Sequence, residues 1–130
     1  MLNLIKRWFN KNGEDVNFHL PKNENATFLL KVDNIDVGTL HCENGEWEFK
    51  YTEEFKKHPE YNRITEFSDL NKVYRNDTLW PFFQTRIPGL KQPAVIEILK
   101  DENIDIENEF QLLKRFGKKT ISNPYQLEVI

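Results

Sequence analysis

Asn44-Gly45 stands between two segments that both read with a period of two. Before it run Val37, Gly38, Thr39, Leu40, His41 and Cys42. After it Trp47, Phe49 and Tyr51 alternate with Glu48 and Lys50. A two-residue type I′ turn needs positive φ at both central positions, and Asn-Gly is the pair that adopts it with least strain. Alternation of this kind puts every second side chain on one face of a strand, here an aromatic face and a charged face. The segment is therefore an antiparallel hairpin. Phe28-Leu29-Leu30-Lys31-Val32, followed by the turn formers Asp33-Asn34, adds a further strand. The expected strands are 28–32, 36–43 and 46–52.

Beyond the hairpins the periodicity changes. Residues 53–77 read as polar and irregular, punctuated by Phe55, Tyr61, Ile64, Phe67, Leu70, Val73 and Tyr74, with Ile64 and Phe67 on an extended segment at the sheet edge. A helix is expected from Leu79-Trp80-Pro81-Phe82-Phe83, capped by Asp77 or Thr78. Pro81 falls in its first turn, where a missing N–H does little harm. Pro93 opens a second helix, from Ala94 to about Lys100. A third is expected from Ile106 to Phe116, with Asp105 as N-cap, Gly117 at its C-terminal end, and Ile106, Phe110 and Leu113 toward the core. Glu107 and Glu109 lie near its positive end and Lys114 and Arg115 near its negative end. The tail 123–130 alternates in its last part and suits a strand. Hairpins followed by helices make an α+β domain, 27–130.

Residues 1–26 read as an appendage. Leu4, Ile5, Trp8 and Phe9 fall on one side of a short amphipathic helix, and an Asn-, Lys- and Glu-rich linker follows. This helix docks on the domain, binds a partner or stays loose, and its apolar face is a second candidate docking element. Its charges lie inside the apolar stretch, unlike a secretory signal.

With 130 residues, 38% hydrophobic and 13% aromatic, the chain supports one modest core. A net charge of −3 leaves no broad basic footprint for direct nucleic-acid binding. No apolar run is long enough for a membrane span. The single Cys42 excludes an internal disulfide, which fits a cytoplasmic location. Phosphate-loop, Rossmann and kinase-loop motifs are absent from these residues, and His19, His41 and His58 show no metal-ligand spacing. Cys42 reads as a small buried apolar residue, and the carboxylate pairs Glu53-Glu54 and Asp101-Glu102 as solvated charge. No cofactor, metal or catalytic residue is expected.

Several pieces taken in order carry a resemblance. They are Leu29…Val32, Val37-Gly38-x-Leu40, Gly45-x-Trp47-x-Phe49-x-Tyr51, Leu79-Trp80-Pro81-Phe82-Phe83 with Ile87-Pro88, and Phe110-x-Leu112-Leu113-x-x-Phe116-Gly117. Together, over about residues 28–121, they resemble the N-terminal subdomain of HipA-like serine/threonine kinase toxins. The resemblance implies a small antiparallel, barrel-like sheet capped by the three short helices. In full-length members a kinase core follows; in the 130 residues here its ATP-binding and catalytic parts are not found, so kinase activity does not carry over. The arrangement is similar to the small HipS-like proteins of split systems. That implies a non-catalytic protein that binds and neutralises a separate HipA-like kinase lacking this subdomain, with a helix-turn-helix DNA-binding protein as a third component. An activating or structural half of a split kinase and a solo interaction module are the alternatives. A kinase-binding module needs an exposed apolar anchor. Trp80, with Arg86, Ile87 and Pro88 at the helix end, is the candidate patch, Trp80 either packing inside or protruding.

Overall fold

The hairpin turns set the register of everything around them. In the computed structural model, which describes residues 18–130, Asn44 and Gly45 have φ of 54° and 78°, and Asp33 and Asn34 have 48° and 68°. Both turns are thus two-residue turns with left-handed central residues, as the right-handed twist of the flanking strands requires. They join β1 (Ala26–Val32), β2 (Ile35–Glu43) and β3 (Glu46–Tyr51), within two residues of the expected limits. Pairing starts at Val32 opposite Ile35 and at Glu43 opposite Glu46. Between Leu30 and Lys31 the register slips. Two successive residues of β2, Val37 and Gly38, are consequently both buried.

After β3 comes α1 (Glu53–Lys56), a single turn capped by Thr52, whose Oγ1 accepts the Phe55 N–H at 3.0 Å. Four residues are too few for periodicity to reveal, so this helix and the short strand β4 (Tyr74–Asn76) depart from the irregular reading of 53–77. Ile64 and Phe67 are buried but not extended. They form a turn in which the Phe67 N–H donates to the Ile64 carbonyl. Tyr51 holds that turn from the sheet: its hydroxyl donates to the Phe67 carbonyl at 2.6 Å and accepts the Ile64 N–H at 2.9 Å. Burial pushes this phenol up to about 12, so it stays a donor at any ordinary pH.

Helices α2 (Pro81–Gln84), α3 (Pro93–Asp101) and α4 (Glu109–Phe116) follow, and β5 (Gln126–Val129) ends the fold. There are four short helices among the described residues, not three. The sheet order is β4-β3-β2-β1-β5, antiparallel throughout. It is an open sheet: β4 and β5 are edges and do not pair, so the barrel-like shape stops short of closure. The expected helix starts also move. α2 begins at Pro81 with Trp80 as N-cap, not Asp77 or Thr78. α4 begins after Asn108, whose Oδ1 accepts the Gln111 N–H at 3.0 Å. Asp105 instead turns the chain just before it, accepting the Glu107 N–H.

One face of the sheet carries Phe28, Leu30, Leu40, Cys42, Trp47, Phe49 and Leu127, all buried. Phe49 stacks on Phe67 at 4.2 Å between ring centres, and Phe83 and Trp80 close around Phe67. A separate cluster of Ile87, Leu90, Val95, Leu99 and Leu112 joins α3 to α4. Cys42 belongs to the main core, and burial pushes its thiol up to about 11, which makes it inert at neutral pH. The segment before β1 packs on the domain: Leu20 is buried, and His19 lies beside Asn108 in a parallel bridge. The N-terminal docking face, Leu4, Ile5, Trp8 and Phe9, lies outside the described residues.

Candidate functional site

α2 is one turn long, and its position is fixed from outside. Its own N-cap, Trp80, has no side-chain acceptor to offer. A carboxylate oxygen of Glu66 fills that role, accepting the Phe82 N–H at 3.0 Å. Two residues before the helix, the Leu79 N–H donates to Glu109. Leu79 and Phe83 are buried under this arrangement, while Trp80 and Phe82 are half-buried and Pro81 is exposed.

The two half-buried rings rest on different supports. Trp80 stands edge-on to Phe67, 5.0 Å between centres. Phe82 stands edge-on to Tyr125 at 5.7 Å, with the Arg86 guanidinium 5.5 Å from its ring centre. Trp80 therefore neither disappears into the core nor stands free of it. It packs against the main core and is only partly exposed.

Arg86 and Ile87 depart from the expected patch. Arg86 is 4% exposed and Ile87 5%, so neither can anchor a partner from the surface. Ile87 joins the α3–α4 cluster. Arg86 points under α2 and donates to the carbonyls of Gly117 (3.0 Å) and Tyr125 (3.0 Å), to the Lys118 carbonyl (3.5 Å) and to Asn123 Oδ1 (3.2 Å). Burial lowers the guanidinium to about 10, still charged at neutral pH. Pro88 is half-buried at the end of the same turn. The sequence reading chose Arg86 for its charge beside an aromatic run. The carbonyls it serves lie over 30 residues away in the chain, which no local pattern signals.

A second joint, not singled out from the sequence, is Glu109. It is 1% exposed at the first turn of α4. Its Oε1 accepts the Trp47 indole N–H at 2.9 Å and its Oε2 the Leu79 N–H at 3.3 Å. Burial raises its carboxyl above the usual carboxylate range, and these two hydrogen bonds pull against that shift. The helix position was legible as dipole-favoured; the inward direction was not.

The matched motif positions prove to be packing devices. A Cβ on Gly38 would lie 2.5 Å from Phe49 Cζ and 2.9 Å from the Lys50 carbonyl oxygen. Gly38 is thus a vacancy into which the Phe49 ring fits. Gly117 has an ordinary right-handed φ of −84°, so left-handed freedom is not its role. Its missing side chain clears the Leu113 carbonyl and the Leu113 Cδ1, which a Cβ would approach to 2.7 Å. Comparison with known families shows the same stretch as a unit: the family model for the HipA N-terminal domain matches residues 29–122. The chain belongs to the HipA N-terminal domain family. The matched region is the N-terminal domain and not the catalytic kinase domain. No curated protein and no solved structure matches the chain. Within this HipA-type domain, the described residues hold no group of three or more His, Cys, Asp or Glu placed to bind a metal ion, and no helix long and apolar enough to cross a membrane.

Proposed function

We propose that this HipA N-terminal-type chain is a non-catalytic regulator of a split toxin–antitoxin system, which binds and neutralises a separately encoded HipA-like Ser/Thr kinase in the cytoplasm. The observation that carries this reading is the family match over residues 29–122. It is supported by the nature of the matched motifs, which build a core and leave no catalytic constellation, so that the domain's work is at its surface. The part of that surface best suited to a partner is the α2 turn. Trp80 and Phe82 offer large, partly seated aromatic area, and aromatic anchors of limited freedom dominate interface energies.

The test uses the full chain with its kinase. Co-expression should restore growth that the kinase alone arrests, and adding the chain should suppress autophosphorylation. A kinase that is silent until the chain is added overturns neutralisation and makes the chain an activating half. For the surface, Trp80→Ala should weaken kinase binding by about tenfold or more, roughly 1.4 kcal/mol per decade, while far-UV circular dichroism and the cooperative unfolding transition stay native. Unchanged affinity in calorimetry would remove Trp80 as the anchor.

A further inference from the structure

Beside α3 lies a mainly apolar groove of about 420 Å³, walled by Leu90, Ile96, Leu99, Ile104 and Ile106, with Lys100 and Asn103 at its lining. It is distinct from the α2 turn. Ile104 and Ile106 also pack in the α3–α4 cluster together with Phe18, the first described residue. The His19 N–H donates to the Glu107 carbonyl, and the Glu109 N–H donates to the His19 carbonyl, both at 2.9 Å. Phe18 thus packs on the cluster whose Leu90, Leu99, Ile104 and Ile106 also line the groove.

Those residues carry a matching surface. Leu4, Ile5, Trp8 and Phe9 recur at helical spacing, with Lys6 and Arg7 between them. The eight residues between Phe9 and Phe18 reach at most about 30 Å when extended, ample for a turn back along one short helix. The groove is likewise mainly apolar, Lys100 and Asn103 aside.

We propose that the groove on α3 is the seat of the chain's own N-terminal segment, with Leu4, Ile5, Trp8 and Phe9 laid against Ile96, Leu99 and Ile104. The short distance along the chain makes the contact intramolecular and gives it a high effective concentration. An amphipathic stretch too short to be a stable helix alone gains its structure from this packing. A partner that used the α3 face would then have to displace the segment.

The experiment labels the full chain with 5-fluorotryptophan, giving resonances for Trp8, Trp47 and Trp80, with Trp8 assigned by Trp8→Phe. The Trp8 signal should show a small solvent isotope shift, as a buried indole does, and this should not change on tenfold dilution. Ile96→Arg should return it to the exposed position while the Trp47 signal stays put. If the Trp47 signal also moves, the reciprocal variant Leu4→Asp decides: it should shift the Ile96 and Ile104 methyl resonances in the otherwise native chain. An exposed Trp8 in the wild type overturns the proposal. Protection that vanishes on dilution does so too, since it assigns the groove to a second copy. Methyls unmoved by Leu4→Asp also overturn it. None of these outcomes depends on kinase binding, so the proposal stands or falls apart from the regulatory reading.

Discussion

Arg86 and Glu109 are both charged and both almost wholly buried, yet they hold different kinds of structure. Glu109 sits in the main core and binds two N–H groups, one from the middle of the sheet and one from the approach to α2. Arg86 sits under α2 and gathers acceptors of the segment 117–125, which leads into β5. The acid ties together elements that already pack around Trp47. The base fastens a strap that has little core of its own, because of the residues from Lys118 to Pro124 only Thr120 and Asn123 are even half-buried. A buried polar joint is expensive to break in proportion to the groups it leaves stranded. The two joints should therefore fail differently, one globally and one locally.

The largest effect is expected for Glu109→Ala. It strands the Trp47 indole N–H and the Leu79 N–H in the core, at about 1–3 kcal/mol for each buried unsatisfied group. Urea unfolding should show a loss of about 3 kcal/mol with the transition still cooperative. A loss confined to the helices, with the sheet intact, would break the comparison. Arg86→Met keeps most of the side-chain volume but loses the four acceptors. Removing a charge whose Nε already lacks an acceptor among the described residues offsets part of that loss, so about 2 kcal/mol is expected. Amide exchange should accelerate from Lys118 through Val129 and stay slow in β2 and β3. Uniform acceleration would mean that the strap and core are one cooperative unit.

Gly38→Ala tests the core side alone. The added methyl meets the Phe49 ring and the Lys50 carbonyl, and overpacking of this kind costs about 1–3 kcal/mol. A neutral result would show that Phe49 can move off Phe67. The smallest effect is a pH dependence. The folded carboxyl of Glu109 lies above its ordinary 4.5. The stability tied to its protonation is therefore fully present below that value and is lost as pH rises through the folded value. Relative to Glu109→Gln, the wild type should gain urea resistance as pH falls toward the ordinary 4.5. A flat difference between the two proteins would show that the two N–H donors fully offset the burial.

The hairpin strands were legible because their information is local, whereas the three residues of β4 were not. Asn44-Gly45 and Asp33-Asn34 fix two turns, and the alternation of Trp47, Phe49 and Tyr51 fixes the face. The α3 helix was legible for the same reason, and the motif set from Leu29 to Gly117 was enough to suggest the family. The candidate site was legible only in part. Trp80 falls between its two readings, half-buried against Phe67, and Arg86 and Ile87 turn inward. Phe82, Tyr125 and Glu66 complete the turn without any sequence signal, since their contacts span 16 to over 40 positions.

The sequence by itself determined the three hairpin strands and the tail strand, and where two hairpins turn. These follow from backbone sterics and period-two patterning within a few residues. Only the tertiary structure decided that the sheet stays open, that α2 is capped by Glu66, and that one carboxylate and one guanidinium are drawn into the interior. A side chain's direction there depends on which distant N–H groups and carbonyls need partners once water is excluded. That demand arises only when the elements have packed.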